Sequence, residues 1–277
     1  LPSLNDVPPR DAKGELTTIY YDPLGIYLEY SCGFDPMTIW KTLLLIYSGI
    51  DVSYRCEGSR SKRFACVLSE QEVQDAINSF EKFPVLVEEL TEGRASIEYQ
   101  INRIERHLTS VTLIGQEMYW PSPDDTREEI DRFVSPGRYD SIFVLWPQRN
   151  LADGTSIPSG GWGLAIAASR WSNEATYAAV ANTDTWRWQI PIIGEVWLHE
   201  WLHGACAFFA RKGYLMPHGD ADGGARHGYN QSPVSGWIDY YRDLMSGNVL
   251  ENGKRIGIPL DAWPAPLRGD DKIADSK

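Results

Sequence analysis

The sequence predicts an α+β fold, and three observations carry that expectation. Short stretches rich in β-branched and aromatic residues, or alternating apolar with polar ones, read as strands in both halves of the chain. A much longer segment, Ile192 to Lys212, runs without internal proline and stops at Gly213, as one helix closed by a left-handed glycine does. With 277 residues and 43% hydrophobic content, the chain can bury a substantial core, so neither disulfides nor a metal are needed merely to fold it.

In chain order, Leu16 to Tyr21 and Ile26 to Tyr30 are expected to be short strands. The apolar run Ile39 to Ile50 is interrupted by Lys41, Thr42, Ser48 and Gly49 and falls far short of the ~20 residues that span a bilayer, so no membrane span is expected. Ser69 followed by Glu72 forms a capping box that opens a helix reaching about Lys82. Ile97, Tyr99 and Ile101 alternate with Glu98, Gln100 and Asn102, the period of a half-buried strand. Residues 1–115 therefore form an N-terminal α/β portion, packed as a lobe of the same domain as residues 116–277.

The second part opens with an acidic turn at Asp124 and Asp125 and a helix to about Val134, which Pro136-Gly137 breaks. Tyr139 to Trp146 reads as a core strand, Gly160 to Ala168 is glycine-rich and then apolar, and Thr176 to Val180 is a further strand. Beyond the long helix, Trp237, Tyr240, Tyr241 and Leu244 share one helical face, which places Met245 at the end of a core helix. The four-residue spacing of Trp197 and Trp201 marks them as core.

The formal charge of −12 disfavours nucleic acid and anionic lipid as general partners and favours basic or neutral ones. Of the cysteines, Cys56 and Cys66 flank a polar loop and can close a hairpin-like disulfide, Cys206 reads as a buried thiol, and Cys32 leaves other pairings open. A secreted or extracytoplasmic setting is the expectation. The sequence starts at Leu1 rather than at a methionine, which fits either removal of a signal peptide or trimming.

The chemistry concentrates in the long helix. His199, Glu200, Trp201, Leu202 and His203 form an H-E-x-x-H box. Residues four apart lie about 40° apart around a helix, so both imidazoles reach one ion while the glutamate projects beside it. That arrangement suits a zinc-activated water with a carboxylate base. Four of the five histidines, His199, His203, His218 and His227, lie close together with Asp220 and Asp222.

Over roughly Tyr139 to Gly247, the box and the strands before it resemble the zincin metallopeptidases. The resemblance implies a zincin-like core over residues 116–277, with a mixed sheet packed on the active-site helix. It also implies zinc as cofactor and a protein or peptide substrate, hydrolysed by water that Glu200 activates. In thermolysin-like zincins the third ligand is a glutamate on a later helix, but only Glu251 follows the box, in an Asn-Gly turn. The metzincin extension is missing, because Cys206 and Phe209 stand where it needs glycine and histidine.

The loop from Met216 to Tyr229 must then supply the ligand. Histidine is the commoner zinc ligand, which favours His227 or, behind it, His218. Asp222, glycine-flanked and followed by a Gly-Tyr pair, resembles the aspartate-ligand zincins without their full Asp-x-x-Tyr-Gly pattern, and stands level with His227. The residues not used as ligands are expected to hydrogen-bond the ligating imidazoles or to sit in a solvated turn. Tyr229 is a candidate hydrogen-bond donor to a developing oxyanion, or else a packing aromatic. Gly161, Trp162, Gly163 and Leu164 are candidates for a strand edge along which a peptide pairs. Two rival readings are a non-catalytic glycan- or peptide-binding protein on a zincin-like scaffold, and a zinc hydrolase of a non-peptide amide.

Overall fold

A computed structural model describes residues 18–21, 27–30, 38–55, 61–115, 118–182 and 191–264. The chain divides into two units, residues 1–36 and 37–277. In the first, strands β1 (Thr18–Tyr21) and β2 (Tyr27–Tyr30) pair antiparallel, within two residues of the strands expected there.

The second unit opens with β3 (Thr38–Tyr47) and a hairpin of β4 (Gly49–Arg55) and β5 (Ser61–Val67). Helices α1 (Glu70–Phe80) and α2 (Phe83–Leu90) then lead into β6 (Ala95–Ile104). The capping box at α1 is complete: the Glu72 amide donates to Ser69 Oγ at 3.2 Å, and the Ser69 amide donates to the Glu72 carboxylate at 2.8 Å. A small hairpin, β7 (Thr112–Ile114) with β8 (Met118–Trp120), precedes α3 (Arg127–Phe133). Next come β9 (Ser141–Trp146), β10 (Gly163–Ile166) and β11 (Thr176–Ala181). The remainder comprises the long helix α4 (Glu195–Arg211), α5 (Ile238–Met245) and a hairpin of β12 (Val249–Glu251) and β13 (Lys254–Ile256). Asn252 and Gly253 both have positive φ in that last turn, as a two-residue hairpin connection demands.

One five-stranded mixed sheet organises the unit, in the order β10-β11-β9-β3-β6. The pairs β3/β6, β3/β9 and β9/β11 are parallel, and β10 runs antiparallel to β11 at the edge. Strands from both sides of residue 115 thus share one sheet, and the sequence boundary there does not separate two layers. Both faces of the sheet are covered. Phe143 and Leu145 of β9 pack under the helices with Trp40, Phe80, Phe83, Trp197 and Trp201, while Ile142, Val144 and Trp146 point to the other side with Tyr54, Phe64 and Trp120. A strand buried on both faces loses its polar alternation, which explains the nearly continuous apolar runs of β3 and β9. At the edge β6 keeps part of it: Ile97 is buried and Tyr99 is exposed, a mixed pattern where strict alternation is expected.

Helix α4 packs against β10 and β11. Its Trp197 and Trp201 are fully buried, as their spacing predicts, and Trp197 meets Phe80 and Phe143 edge-on at ring separations of 5.2 and 5.7 Å. Met245 is buried at the end of α5, and Gly213 follows α4 with φ 94°. Among the described residues, no helix is long and apolar enough to cross a membrane. Cys206 is buried and free, and Cys66, expected in a disulfide with Cys56, is also free; Cys32 and Cys56 lie outside the described residues.

At Gly204 the helix touches the sheet so closely that a β-carbon there would lie 2.7 Å from Thr176 Cβ. Replacing glycine by alanine inside a helix normally gains about 1 kcal/mol. Overpacking against a buried strand costs about 1–3 kcal/mol. The second effect wins here, because Thr176 Cβ sits next to the backbone and cannot swing away. Gly204→Ala is therefore expected to lower unfolding free energy by up to about 2 kcal/mol in urea titrations, and a gain in stability would contradict the contact.

Candidate metal centre

Helix α4 holds His199 and His203 on the one stripe that the core does not cover. Their side chains retain 13% and 21% of their exposure, whereas Leu198, Trp201 and Leu202 are buried. The two imidazole centroids are 4.9 Å apart with the rings nearly perpendicular.

The third group arrives on a 3-10 helix, Asp220–His227, that follows Gly219. Asp220 takes a left-handed φ of 37°, tolerable for aspartate. The turn is held by the Asp222 amide donating to the Gly219 carbonyl at 2.8 Å and by the Tyr240 hydroxyl donating to the Asp220 carbonyl. Asp222 Oδ1 thereby lies 3.4 Å from His199 Nε2, and its Oδ2 lies 3.9 Å from His203 Nε2. Among the described residues this is the one group of three histidine, cysteine or acidic side chains whose ligand atoms converge, all within 4.8 Å of one another, and it can hold a metal ion. Ligands about 2.1 Å from a tetrahedral ion stand about 3.4 Å apart, so the spacing suits a small divalent cation.

The remaining ring nitrogens are spoken for. His199 Nδ1 lies 2.8 Å from the Tyr241 hydroxyl, and His203 Nδ1 lies 2.6 Å from Asp220 Oδ1. With the proton on Nδ1 and donated to those oxygens, both Nε2 lone pairs face Asp222, the arrangement that orients imidazole ligands. Burial lowers the proton affinity of His203, but the hydrogen bond and charge of Asp220 more than reverse that. The neighbouring His199 holds the Asp222 carboxyl below its ordinary range. Burial keeps the Tyr241 hydroxyl protonated well beyond the normal range of a phenol.

Glu200 stands beside this group rather than in it. It is only 3% exposed, and its Oε1 lies 4.0 Å from His199 Nε2. Burial raises its carboxyl above the ordinary range, against the pull of the two imidazoles. Space for it exists because residue 163 is glycine: a β-carbon there would lie 2.6 Å from Glu200 Cδ. One turn earlier, Glu195 is buried too. Its Oε1 accepts from the Trp237 amide at 2.7 Å, and its Oε2 has no partner among the described residues.

The structure sorts the expected site residues. Of the two level candidates, Asp222 joins the histidines and His227 does not. His227 stacks on Tyr240, and its Nε2 lies 3.2 Å from the His218 carbonyl, so it braces the loop from behind. His218 presents its amide to Glu251 at 3.1 Å, which accounts for Glu251 as well. Tyr229 donates its hydroxyl to Asp243 and packs edge-on against Tyr240, so the phenol proton proposed for an oxyanion is committed elsewhere. Gly161 and Trp162 line a cleft of about 230 Å³ beside His199, Asp222, Trp237 and Tyr241. Gly163 and Leu164 begin the edge strand, Leu164 opposite Ala179. Tyr241 and Glu195 were not anticipated at the site, since one buried face of α5 says nothing about which ring reaches a histidine. No protein-family model and no curated protein matches the chain.

Two predictions follow from this geometry. In competition with a mild chelator, His203→Ala and Asp222→Ala should lose a bound divalent ion, Asp220→Asn and Tyr241→Phe should weaken it by about 10–100-fold, and His227→Ala should keep it. Loss of the ion from His227→Ala with retention by Asp222→Ala would reverse the assignment.

The other concerns Glu195, whose carboxyl burial pushes above its ordinary range, against the Trp237 amide and His199. The unfolded chain then gives up this proton more readily than the folded one. Stability falls as pH rises through the unfolded value of about 4.3 and levels off above the folded value. With chelator present throughout, Glu195→Gln should therefore gain stability relative to the parent between pH 4 and 7, read from urea midpoints; an unchanged difference would count against it.

Proposed function

We propose that this chain is a zinc-dependent metallopeptidase that hydrolyses peptide bonds, with His199, His203 and Asp222 as metal ligands and Glu200 as general base. The observation that carries the reading is the convergence of two Nε2 atoms and one carboxylate next to a buried glutamate whose proton affinity is raised. Two imidazoles and a carboxylate suit zinc with an open position, and zinc bound there supplies Lewis-acid activation of a water molecule near neutral pH. The same donors hold iron in some oxygenases. A buried carboxylate beside the ligands is the base that hydrolysis requires, and this favours zinc.

The roles of the protein groups follow from their positions. Glu200 takes a proton from the attacking water as the water oxygen bonds to the scissile carbonyl carbon. It returns that proton to the amide nitrogen as the carbon–nitrogen bond breaks, so no net proton is gained or lost. Tyr241 and Asp220 keep the imidazoles turned with Nε2 toward Asp222. Strand β10, antiparallel to β11 and terminal in the sheet, offers backbone groups to an extended peptide. An acidic protein with such an edge suits basic or neutral peptides.

Glu200→Gln keeps the shape and removes the proton acceptor. Turnover of a mixed peptide library should fall by at least about 100-fold while the metal content stays at that of the parent. Equal cleavage by the variant would remove Glu200 from the mechanism, and a parent that cleaves nothing with metal bound would favour a binding role.

A further inference from the structure

We infer that the cleft beside His199 is a specificity pocket for one aromatic side chain, which narrows the substrates to peptides carrying a phenylalanine, tyrosine or tryptophan next to the scissile bond. The inference rests on the peptidase reading and adds a substrate class to it.

Lining and size both point to a single ring. Trp162, from the turn that enters β10, stands edge-on to His199 with 5.4 Å between ring centroids. Trp237 and Tyr241, about one helical turn apart, also line the cleft, together with the small residues Ala221 and Gly224. Gly224 matters because a β-carbon there would lie 2.7 Å from Trp237 Cε3. Glycine lets the indole settle against the backbone, and a larger residue would push the ring into the cleft. Among the described residues Asp222 is the sole carboxylate on the lining, and its oxygens face the histidines.

The cleft measures about 230 Å³. An apolar cavity of about 150 Å³ already holds benzene. Pockets that enclose a whole drug-sized ligand run from about 300 Å³ upward. The space therefore fits one substituted ring and leaves the rest of the ligand outside, as a peptide lying along β10 would be.

The test is binding, read separately from turnover. The indole and imidazole resonances of the full chain are followed by NMR during titration with N-acetyl-phenylalaninamide, N-acetyl-alaninamide and chitobiose, beside digestion of a peptide library. The phenyl probe should bind at least about tenfold tighter than the methyl probe, the scale expected for burying one ring. Trp162→Ala and Gly224→Val should each bring that ratio below about twofold, and two variants on different segments of the lining guard against the misfolding of one. Equal binding of the phenyl and methyl probes, or preferred binding of chitobiose, overturns the pocket assignment even if peptides are cleaved. A phenyl preference that both variants abolish supports it; if no peptide is cleaved in that case, the peptidase reading alone falls.

Discussion

Helix α4 lies against β10 and β11 at a distance that two glycines permit. Gly204 admits Thr176 of β11, and one turn earlier on the same face of the helix Gly163 of β10 admits the Glu200 carboxylate. The surface beneath is stiff: Thr176 Oγ1 lies 2.7 Å from Ser141 Oγ, which accepts from the Trp40 indole at 2.6 Å, so hydroxyls and an indole stitch three strands together where the helix rests. The box of histidines and glutamate therefore inherits its position from a packed interior. The loop that follows is then positioned against that fixed stripe.

Such a site carries a thermodynamic burden. Glu195 and Glu200 are both buried within about one turn of His199, and burial raises the proton affinity of each. Burying a carboxylate without full compensation opposes folding by several kcal/mol at the extreme. The same helix buries Trp197, Trp201, Leu198, Leu202 and Phe209, and each large apolar side chain contributes about 1.5–3 kcal/mol in the other direction. The apolar faces of α4 thus let it carry two acids that an isolated or exposed helix would turn outward.

Several features were legible because their causes are local. The capping box at Ser69 and Glu72 lies within one turn, the box of α4 depends only on helical spacing, and the apolar faces of α4 and α5 repeat at 3.6 residues. What stayed hidden depends on contacts distant in sequence. The parallel pairing of β3 with β9 joins segments on either side of residue 115, and a strand buried on both faces carries no alternation to announce itself. The choice between Asp222 and His227 turns on the left-handed φ of Asp220, which swings one face of a short 3-10 helix toward α4 and the other toward Tyr240. Composition does not encode that rotation, and the same holds for Tyr241 rather than Tyr229 reaching the site.

The ligand atoms come from two kinds of scaffold. His199 and His203 belong to a helix whose neighbours are core residues, while Asp222 is 74% exposed on a single short turn. Amides in the middle of α4 can exchange with solvent only when much of the unit opens, whereas the Asp222 turn can lift with far less disruption. An ion bound by all three would act as a rivet between a slow-opening and a fast-opening region. Its departure rate would then be set by excursions of that turn, leaving the helix and its two imidazoles in place to receive the next ion.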